Sequence, residues 1–221
     1  MNTAANLGKF EAMRHAMVAS QLRTNAVSDA RIVAVMARLP REQFLPQGVA
    51  TIAYRDTALP LGNGRYANLP IATGKLLTEA HIQPTDKVLL IGAAGGYTAA
   101  VIAAVAESVV AVESDPALSA IARNALADYT NVTLVEGPLN LGAPGQAPFD
   151  LIVVDGAVDE LPESLIEQVG PGGRVVAGIV DRGVTRLAVG HRTSGGFGLV
   201  DFADIECVPL PGFARPPVFA F

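Results

Sequence analysis

The chain has 221 residues, of which 50% are apolar and 17% are charged, and its formal net charge is −5. This length and composition predict one compact domain with a substantial core and exclude an intrinsically disordered chain. No cluster of Lys and Arg is present to neutralise phosphates, and no apolar run reaches the roughly 18 residues of a membrane span. We therefore expect neither a nucleic acid nor a membrane as a partner.

The N-terminal third predicts three helices and one irregular stretch. Apolar residues at helical spacing predict helices over residues 9–24, 28–39 and 71–81. Ser28 is the expected N-cap of the second helix, and Pro40 ends it. Prolines and glycines between residues 41 and 70 favour turns, so we expect that segment to be irregular.

From residue 88 onward, short apolar strands alternate with helices. Strands are predicted over residues 88–91, 109–112, 132–135, 151–154 and 174–177. Helices are predicted over residues 97–106, 116–127 and 161–169, the last one before the turn Pro171-Gly172-Gly173. Strands that are apolar along their whole length, with helices between them, are typical of a parallel sheet covered on both faces. Residues 186–191 and 199–209 predict a late antiparallel pair.

A glycine-rich turn, Gly92 to Tyr97, follows the first of these strands. Its small residues let the backbone and its unpaired amides approach a ligand closely. Glu113 ends the next strand about 20 positions after Gly92, where nucleotide-binding α/β folds place an acid that binds ribose hydroxyls. The alternative is a tight turn without a ligand, next to an exposed Glu113.

The order of glycines in this turn decides between two classes of nucleotide ligand. A dinucleotide site expects G-x-G-x-x-G, whereas this chain reads G-A-A-G-G-Y from Gly92 to Tyr97. The fingerprint for a pyrophosphate is therefore absent. The late antiparallel pair and the turn at residues 171–173 instead favour a methyltransferase that uses S-adenosylmethionine.

Several motifs resemble those of the protein-L-isoaspartate O-methyltransferases, in the same order and over residues 13–210. They are residues 18–23 (VASQLR), 40–46 (PREQFLP), 53–62 (AYRDTALPLG), 149–154 (FDLIVV), 171–174 (PGGR) and 208–210 (VPL). The resemblance implies an α/β, Rossmann-like methyltransferase fold. Its sheet would be mostly parallel and doubly wound, with a late antiparallel strand pair and extra N-terminal helices.

The resemblance also implies an activity, the transfer of a methyl group from S-adenosylmethionine to the carboxylate of isoaspartyl residues in damaged proteins. Isoaspartyl peptides or proteins would then be the partners. A carboxylate is already a nucleophile at neutral pH, since its reference pKa is about 4, so no strong general base is required. Two alternatives stay open: a catalytically inactive relative that serves as a binding or regulatory module, and a methyltransferase with a different acceptor.

Site residues follow from the resemblance, position by position. The implied cofactor-binding residues are Gly92, Ala93, Ala94, Gly95, Gly96, Tyr97, Glu113, Gly137 and Pro138. The implied substrate residues are Gly62, Leu69, Pro70, Val208, Pro209 and Leu210. Asn68 stands where the family has the serine held to contact the reacting carboxylate, and it is the predicted catalytic residue.

Four positions in the family's motifs depart from its pattern. Leu90 replaces a glutamate, Ala94 replaces the middle glycine, Pro138 replaces an aspartate that binds adenine, and Leu69 replaces a glutamine. Each lost polar contact costs about 1–3 kcal/mol of binding free energy. From these departures we expect the binding of S-adenosylmethionine to be weakened or lost.

Two further single residues carry their own expectations. Arg65 is expected to be a solvated surface side chain, the alternative being a pairing with an acidic substrate. Cys207, the single cysteine of the chain, is expected to be a small buried side chain with no disulfide.

The remaining expectations concern organisation and location. One domain is expected over residues 1–221, made of N-terminal helices with the substrate loop (1–82), a cofactor-binding core (83–180) and C-terminal strands with a tail (181–221). The apolar end, residues 212–221, is expected to pack on the domain, the alternative being a homodimer contact. Because the first residues lack the pattern of a signal peptide, we expect a cytoplasmic protein.

Overall fold

The computed structural model describes residues 3–214, and its N-terminal part contains three helices and a short hairpin. These elements are α1 (Thr3–Met17), α2 (Ala30–Arg38), β1 (Leu59–Gly62), β2 (Arg65–Ala67) and α3 (Pro70–Glu79). Helix α1 continues as a π-helical turn, Val18–Leu22, and a 3-10 turn, Arg23–Asn25. The helix predicted over residues 9–24 therefore begins earlier and is not α-helical at its end.

Helix α2 begins at Ala30, one residue later than an N-cap at Ser28 would place its start. The side chain of Asp29 accepts hydrogen bonds from the N–H groups of Arg31, at 2.8 Å, and Ile32, at 3.4 Å. These bonds satisfy amides that have no partner within the first turn of a helix. Asp29 is therefore the N-cap, and the prediction of Ser28 for that role is wrong.

The stretch predicted to be irregular holds the antiparallel hairpin β1–β2. The residues at its tip, Asn63 and Gly64, have φ angles of +49° and +73°. Two consecutive positive φ angles belong to the tight turn that fits the twist of a hairpin, and Asn-Gly is its preferred sequence. The sequence signal for this hairpin was present, and the prediction for residues 41–70 passed over it.

A seven-stranded sheet forms the centre of the protein. Its strands are β3 (Lys87–Ile91), β4 (Ser108–Glu113), β5 (Val132–Glu136), β6 (Phe149–Val158), β7 (Val169–Asp181), β8 (Val184–Thr193) and β9 (Gly196–Ala203). They lie in the order β5-β4-β3-β6-β7-β8-β9. The first five are parallel neighbours, whereas β8 and β9 are antiparallel. This arrangement confirms the predicted fold class.

The strands in the middle of the sheet are apolar because both of their faces are covered. In β3, Val88 and Leu90 pack into the core on one face, and Leu89 and Ile91 into the core on the other. The helices α4 (Tyr97–Ala103), α5 (Pro116–Ala125) and α6 (Glu163–Ile166) follow strands β3, β4 and β6. Leu90, the residue in place of the family glutamate, is fully buried.

The order of the strands reverses between β3 and β6. From β3 the chain proceeds to β4 and β5 on one side, and it then returns to β6 on the other side of β3. Ligands of open α/β sheets bind beyond the carboxyl ends of the strands at such a reversal. Since Ile91 pairs with Val154, the ends at Gly92 and Asp155 meet at this point.

Two of the later elements differ from their predictions. Only Glu163–Ile166 of the helix predicted over residues 161–169 is helical, because Val169 pairs with Phe149 and already belongs to β7. The turn at residues 171–173 consequently lies inside β7 instead of before it. Strand β9 ends at Ala203, well before the predicted end at residue 209.

The C-terminal segment returns to the sheet. Val208 and Leu210 form hydrogen bonds to the backbone of Ala157, and Phe213 is 5% exposed within the core. The beginning of the tail therefore packs on the domain, and residues 215–221 lie outside the described part of the chain. Among residues 3–214, none of the helices has the length and apolar character needed to cross a bilayer.

Candidate active site

The glycine-rich turn between β3 and α4 depends on close backbone contacts. Gly92 and Gly96 have φ angles of +82° and +97°, which favour glycine. A Cβ atom on Gly95 would lie 1.8 Å from the carbonyl oxygen of Phe44, so no larger residue fits there. The turn predicted from the glycines is present, and it is packed against the segment that begins with residue 40.

Ala94 adopts a left-handed conformation within this turn, with a φ of +47°. We expect Ala94→Gly to raise the free energy of unfolding by about 1 kcal/mol, because a Cβ atom is strained in this region of φ. Thermal denaturation would show this gain as an increase in Tm of about 2–4 °C. The matched control is Ala93→Gly. Ala93 lies outside that region of φ, so its replacement by glycine is expected to lower the free energy of unfolding. An unchanged or lower Tm for Ala94→Gly would contradict the prediction.

Glu113 is fully buried at the carboxyl end of β4. Its carboxylate accepts hydrogen bonds from the N–H groups of Ala94 at 2.7 Å, Ser114 at 2.8 Å and Asp115 at 2.9 Å. The glycine-rich turn and the end of β4 are thus joined through this side chain. Within the alternative of a tight turn without a ligand, the expectation of an exposed Glu113 is wrong.

Arg65 completes the set of groups around Glu113. Its Nη1 lies 2.5 Å from Oε1 of Glu113, and its Nη2 lies 3.0 Å from Oε2. Arg65 is 5% exposed, so the prediction of a solvated surface arginine is wrong. A buried carboxylate requires a partner of opposite charge, and the planar guanidinium provides one through two parallel bonds. Together with the three amides, these bonds occupy the acceptor positions of both oxygens.

The hairpin that carries Arg65 is fixed to the sheet at a second point. The side-chain amide of Asn63 donates to Oδ2 of Asp115 at 2.9 Å. Asp115 also caps helix α5 through the N–H groups of Ala117 and Leu118. The bond from Asn63 is the largest cause of the lowered pKa of the Asp115 carboxyl.

Asn68, the predicted catalytic residue, is buried where the substrate loop meets the C-terminal segment. Its Oδ1 accepts from the N–H groups of Leu69 at 3.1 Å and Val208 at 3.3 Å. Its Nδ2 donates to Oδ1 of Asp155 at 3.1 Å and lies 3.7 Å from Sγ of Cys207. These contacts fix the orientation of the amide, with its donor atom turned toward Asp155.

Cys207 is buried beside Asn68, as the sequence predicts. It is 4% exposed, and this burial raises the pKa of its thiol to about 12. A thiol with such a pKa stays protonated at neutral pH and is a poor nucleophile. Its role is therefore structural.

Asp155 is the site residue that the sequence reasoning missed. It follows Val154 in β6, and it accepts hydrogen bonds from the side chains of Asn68, Thr73 and Thr98. An acidic residue beyond the apolar run of a parallel strand, at the reversal of strand order, was the available signal. The structure therefore adds a carboxylate to the predicted set.

The other predicted site residues lie around the glycine-rich turn, at the ends of β1 and β5, at the start of α3 and in the C-terminal segment. Leu210 covers Gly92, since a Cβ atom there would lie 3.0 Å from Cδ1 of Leu210. Gly137 follows β5, and its N–H donates to the carbonyl oxygen of Glu113 at 3.0 Å. Pro138 follows it and offers no side-chain acceptor. Gly62 ends β1, Leu69 is buried, Pro70 begins α3, and Pro209 lies beside Ala157.

A small cavity of about 20 Å³ lies between these groups, with room for about one water molecule. Its lining includes Asn68, Asp155, Thr98 and five residues of the glycine-rich turn, namely Gly92, Ala93, Ala94, Gly95 and Tyr97. The guanidinium of Arg41 lies 4.8 Å from the centre of the Tyr97 ring and donates to the carbonyl oxygen of Asn68. The predicted catalytic residue and five of the predicted cofactor-binding residues thus line one space.

The groups around this cavity fit S-adenosylmethionine in chemistry but not in volume. Two polar atoms of lining residues, Tyr97 Oη and Arg41 Nε, have no described partners, and Glu113 adjoins the lining through its bond from the N–H group of Ala94. With the glycine-rich turn, these groups are suited to a polar ligand. Pockets for ligands of this size are typically about 300–1,000 Å³. The residues present therefore fit the cofactor in chemistry, and its binding requires a space wider than this cavity of about 20 Å³.

Comparisons with known proteins agree with this geometry. Residues 13–212 match the family model described as protein-L-isoaspartate(D-aspartate) O-methyltransferase (PCMT). A protein-L-isoaspartate O-methyltransferase of Methanoculleus marisnigri is 36% identical over 201 residues, which cover 90% of this chain and 91% of the relative. One of Koribacter versatilis is 35% identical over 214 residues and 96% of both chains.

Solved structures extend the comparison to the fold. A protein-L-isoaspartate O-methyltransferase superposes with a TM-score of 0.76 at 26% identity, covering 90% of this chain and 66% of that one. A Plasmodium falciparum structure of this type, in complex with S-adenosyl-L-homocysteine, has a TM-score of 0.76 at 16% identity and covers 91% and 97% of the chains. These matches confirm the predicted fold class and, with the family model, the predicted class of enzyme, a methyltransferase. The chain belongs to the protein-L-isoaspartate(D-aspartate) O-methyltransferase family.

Proposed function

We propose that this protein transfers a methyl group from S-adenosylmethionine to the carboxylate of isoaspartyl residues in proteins and peptides. The observation that carries the proposal is the buried carboxylate of Glu113 beside the glycine-rich turn, at the reversal of strand order. The family match over residues 13–212 supports the choice of donor and acceptor. Glu113 and the turn would hold the adenosine part, with the ribose hydroxyls in the place that Arg65 now takes.

When bound, S-adenosylmethionine supplies an activated methyl group, which a carboxylate accepts without a proton transfer. The task of the protein is therefore to orient the acceptor and to keep water out. Asn68 lines the cavity, and its Nδ2, now bonded to Asp155 and near Cys207, would hold a carboxylate oxygen of the substrate by giving up one of these contacts. Phe44, Leu45 and Tyr97 enclose the space with apolar surface.

Arg65 supports the further proposal that the affinity for S-adenosylmethionine is low. A ribose diol and a guanidinium cannot both occupy the two oxygens of Glu113, so the ion pair must break first. Leu90 supplies no negative charge, and Pro138 supplies no acceptor. Each of these features reduces the affinity, since about 1.4 kcal/mol of binding free energy corresponds to a factor of ten.

The test combines calorimetry with a transfer assay. Titration with S-adenosylmethionine up to millimolar concentration is expected to show saturable binding. Labelled methyl groups are expected on a peptide that contains isoaspartate and not on the same peptide with aspartate. The absence of heat and of methyl transfer would contradict the proposal. Binding without transfer to the isoaspartyl peptide would indicate another acceptor.

Three expectations about the whole protein stay predictions. They are one methyltransferase-like domain over residues 1–221, a cytoplasmic location, and the role of residues 212–221, for which a homodimer contact is the alternative to packing on the domain. The packing of Phe213 in the core supports the intramolecular role of the tail over the dimer contact.

A further inference from the structure

The hydrogen bonds that Asp155 accepts at the cavity come from neutral groups. Its described hydrogen-bond partners are two hydroxyls, from Thr73 and Thr98, and the amide of Asn68. Within residues 3–214, Asp155 makes no ion pair with a lysine or arginine, whereas Glu113 pairs with Arg65. The negative charge of Asp155 is therefore not matched by a directly bonded cation.

The order of the strands gives a direction to any ligand that binds Glu113 through its ribose. Glu113 ends β4, Gly92 follows β3 and Asp155 lies near the reversal in β6, so β3 lies between the two acids. Neighbouring strands are about 4.8 Å apart, which separates the two strand ends by about 10 Å. The adenine would lie toward Gly137 and Pro138, which follow β5. The methionine part, on the other side of the ribose, would then cross the glycine-rich turn toward Asp155.

The charge of the methyl donor matches this end of the cavity. The methionine part of S-adenosylmethionine carries a sulfonium and an ammonium, and both prefer a neighbouring carboxylate. Leu90 provides none, because it is apolar and fully buried in β3. The charged side chains that line the cavity are Asp155 and Arg41, and the Arg41 guanidinium is engaged with the Tyr97 ring and the Asn68 carbonyl oxygen.

We propose that Asp155 is the carboxylate that binds the positively charged methionine part of the methyl donor, in place of the acid that is absent at Leu90. This inference rests on the proposed function, because it requires the donor to bind. It assigns two roles to one side chain. Asp155 contacts the donor, and through its bond to Asn68 it also sets the orientation of the group that faces the acceptor.

The test is Asp155→Asn, with two ligands measured by calorimetry. S-adenosylmethionine carries the positive charges, whereas 5′-methylthioadenosine has the same adenosine and a neutral sulfur without the amino acid. Asparagine has nearly the shape of aspartate, and the threonine hydroxyls can turn to accept from its amide, so the fold is expected to persist. We expect about tenfold or greater loss of affinity for S-adenosylmethionine and no change for methylthioadenosine, because one charge-assisted contact is lost.

The control is Asp150→Asn, in the same strand β6 but at its opposite end, which is expected to change neither affinity. Equal losses for both ligands in Asp155→Asn would show a structural role and overturn the inference. An unchanged affinity for S-adenosylmethionine would overturn it as well. If the wild-type protein binds neither ligand, the proposed function itself fails, which separates the two failures.

Discussion

Arg65→Gln is expected to raise the affinity for S-adenosylmethionine by about 10- to 100-fold. In the structure, both oxygens of Glu113 are bonded to Arg65, so the ribose must displace the guanidinium. If the ion pair favours the closed site by about 1.4–2.7 kcal/mol, only about 1–10% of molecules are ready to bind. The observed affinity falls by the same fraction, and removing the guanidinium restores it.

Calorimetric titration of the wild-type and variant proteins measures this effect directly. Arg55→Gln is the matched control, because Arg55 lies in the same segment of the chain and is exposed. The control is expected to bind as the wild type does. An Arg65→Gln variant that binds more weakly than the wild type would mean that Arg65 closes over the ligand instead of competing with it.

Glu113→Gln is expected to lower the free energy of unfolding by about 3–5 kcal/mol. The substitution leaves the buried guanidinium of Arg65 without an opposite charge, which is the costly way to break a buried ion pair. It also removes the charged acceptor of the amides of Ala94, Ser114 and Asp115. Urea denaturation, monitored by circular dichroism, gives the change in free energy.

A double-mutant cycle separates the ion pair from the other contacts of Glu113. The double variant Arg65→Gln/Glu113→Gln has no unpaired charge, and we expect it to be more stable than Glu113→Gln alone. A double variant that is less stable than Glu113→Gln alone would contradict this prediction. It would mean that the unpaired guanidinium of Arg65 is not the cause of the loss of stability in Glu113→Gln. The same variants should also differ in binding, since the two that carry Glu113→Gln lack the acid for the ribose.

The central sheet was predictable because its signals are local. Apolar runs such as residues 88–91 lie between turn residues and alternate with helical segments. The late antiparallel strands are likewise indicated by residues 186–191 and 199–209 themselves. The helix predicted over residues 161–169 failed for a non-local reason. Val169 pairs with Phe149, and this pairing extends β7 toward its N-terminus and leaves room for one helical turn.

The site, like the sheet, contains features that are local in the sequence and were predictable, and features that join distant residues and were not. The spacing from Gly92 to Glu113 lies within one strand–helix–strand unit, so the sequence indicates it. The bonds from Arg65 to Glu113 and from Asn68 to Asp155 join residues that are 48 and 87 positions apart. Such pairs depend on how the hairpin packs against the sheet, and neither composition nor periodicity contains that information. Arg65 was therefore expected in solvent.

The hairpin β1–β2 couples the binding of the methyl donor to the binding of the acceptor. Its strand β2 begins with Arg65, which rests on Glu113, and the same backbone continues three residues later into Asn68, which faces the acceptor side. Displacement of Arg65 by the donor must therefore disturb the segment that receives the acceptor. Steady-state kinetics should accordingly follow a compulsory order, in which the donor binds first and the isoaspartyl substrate second.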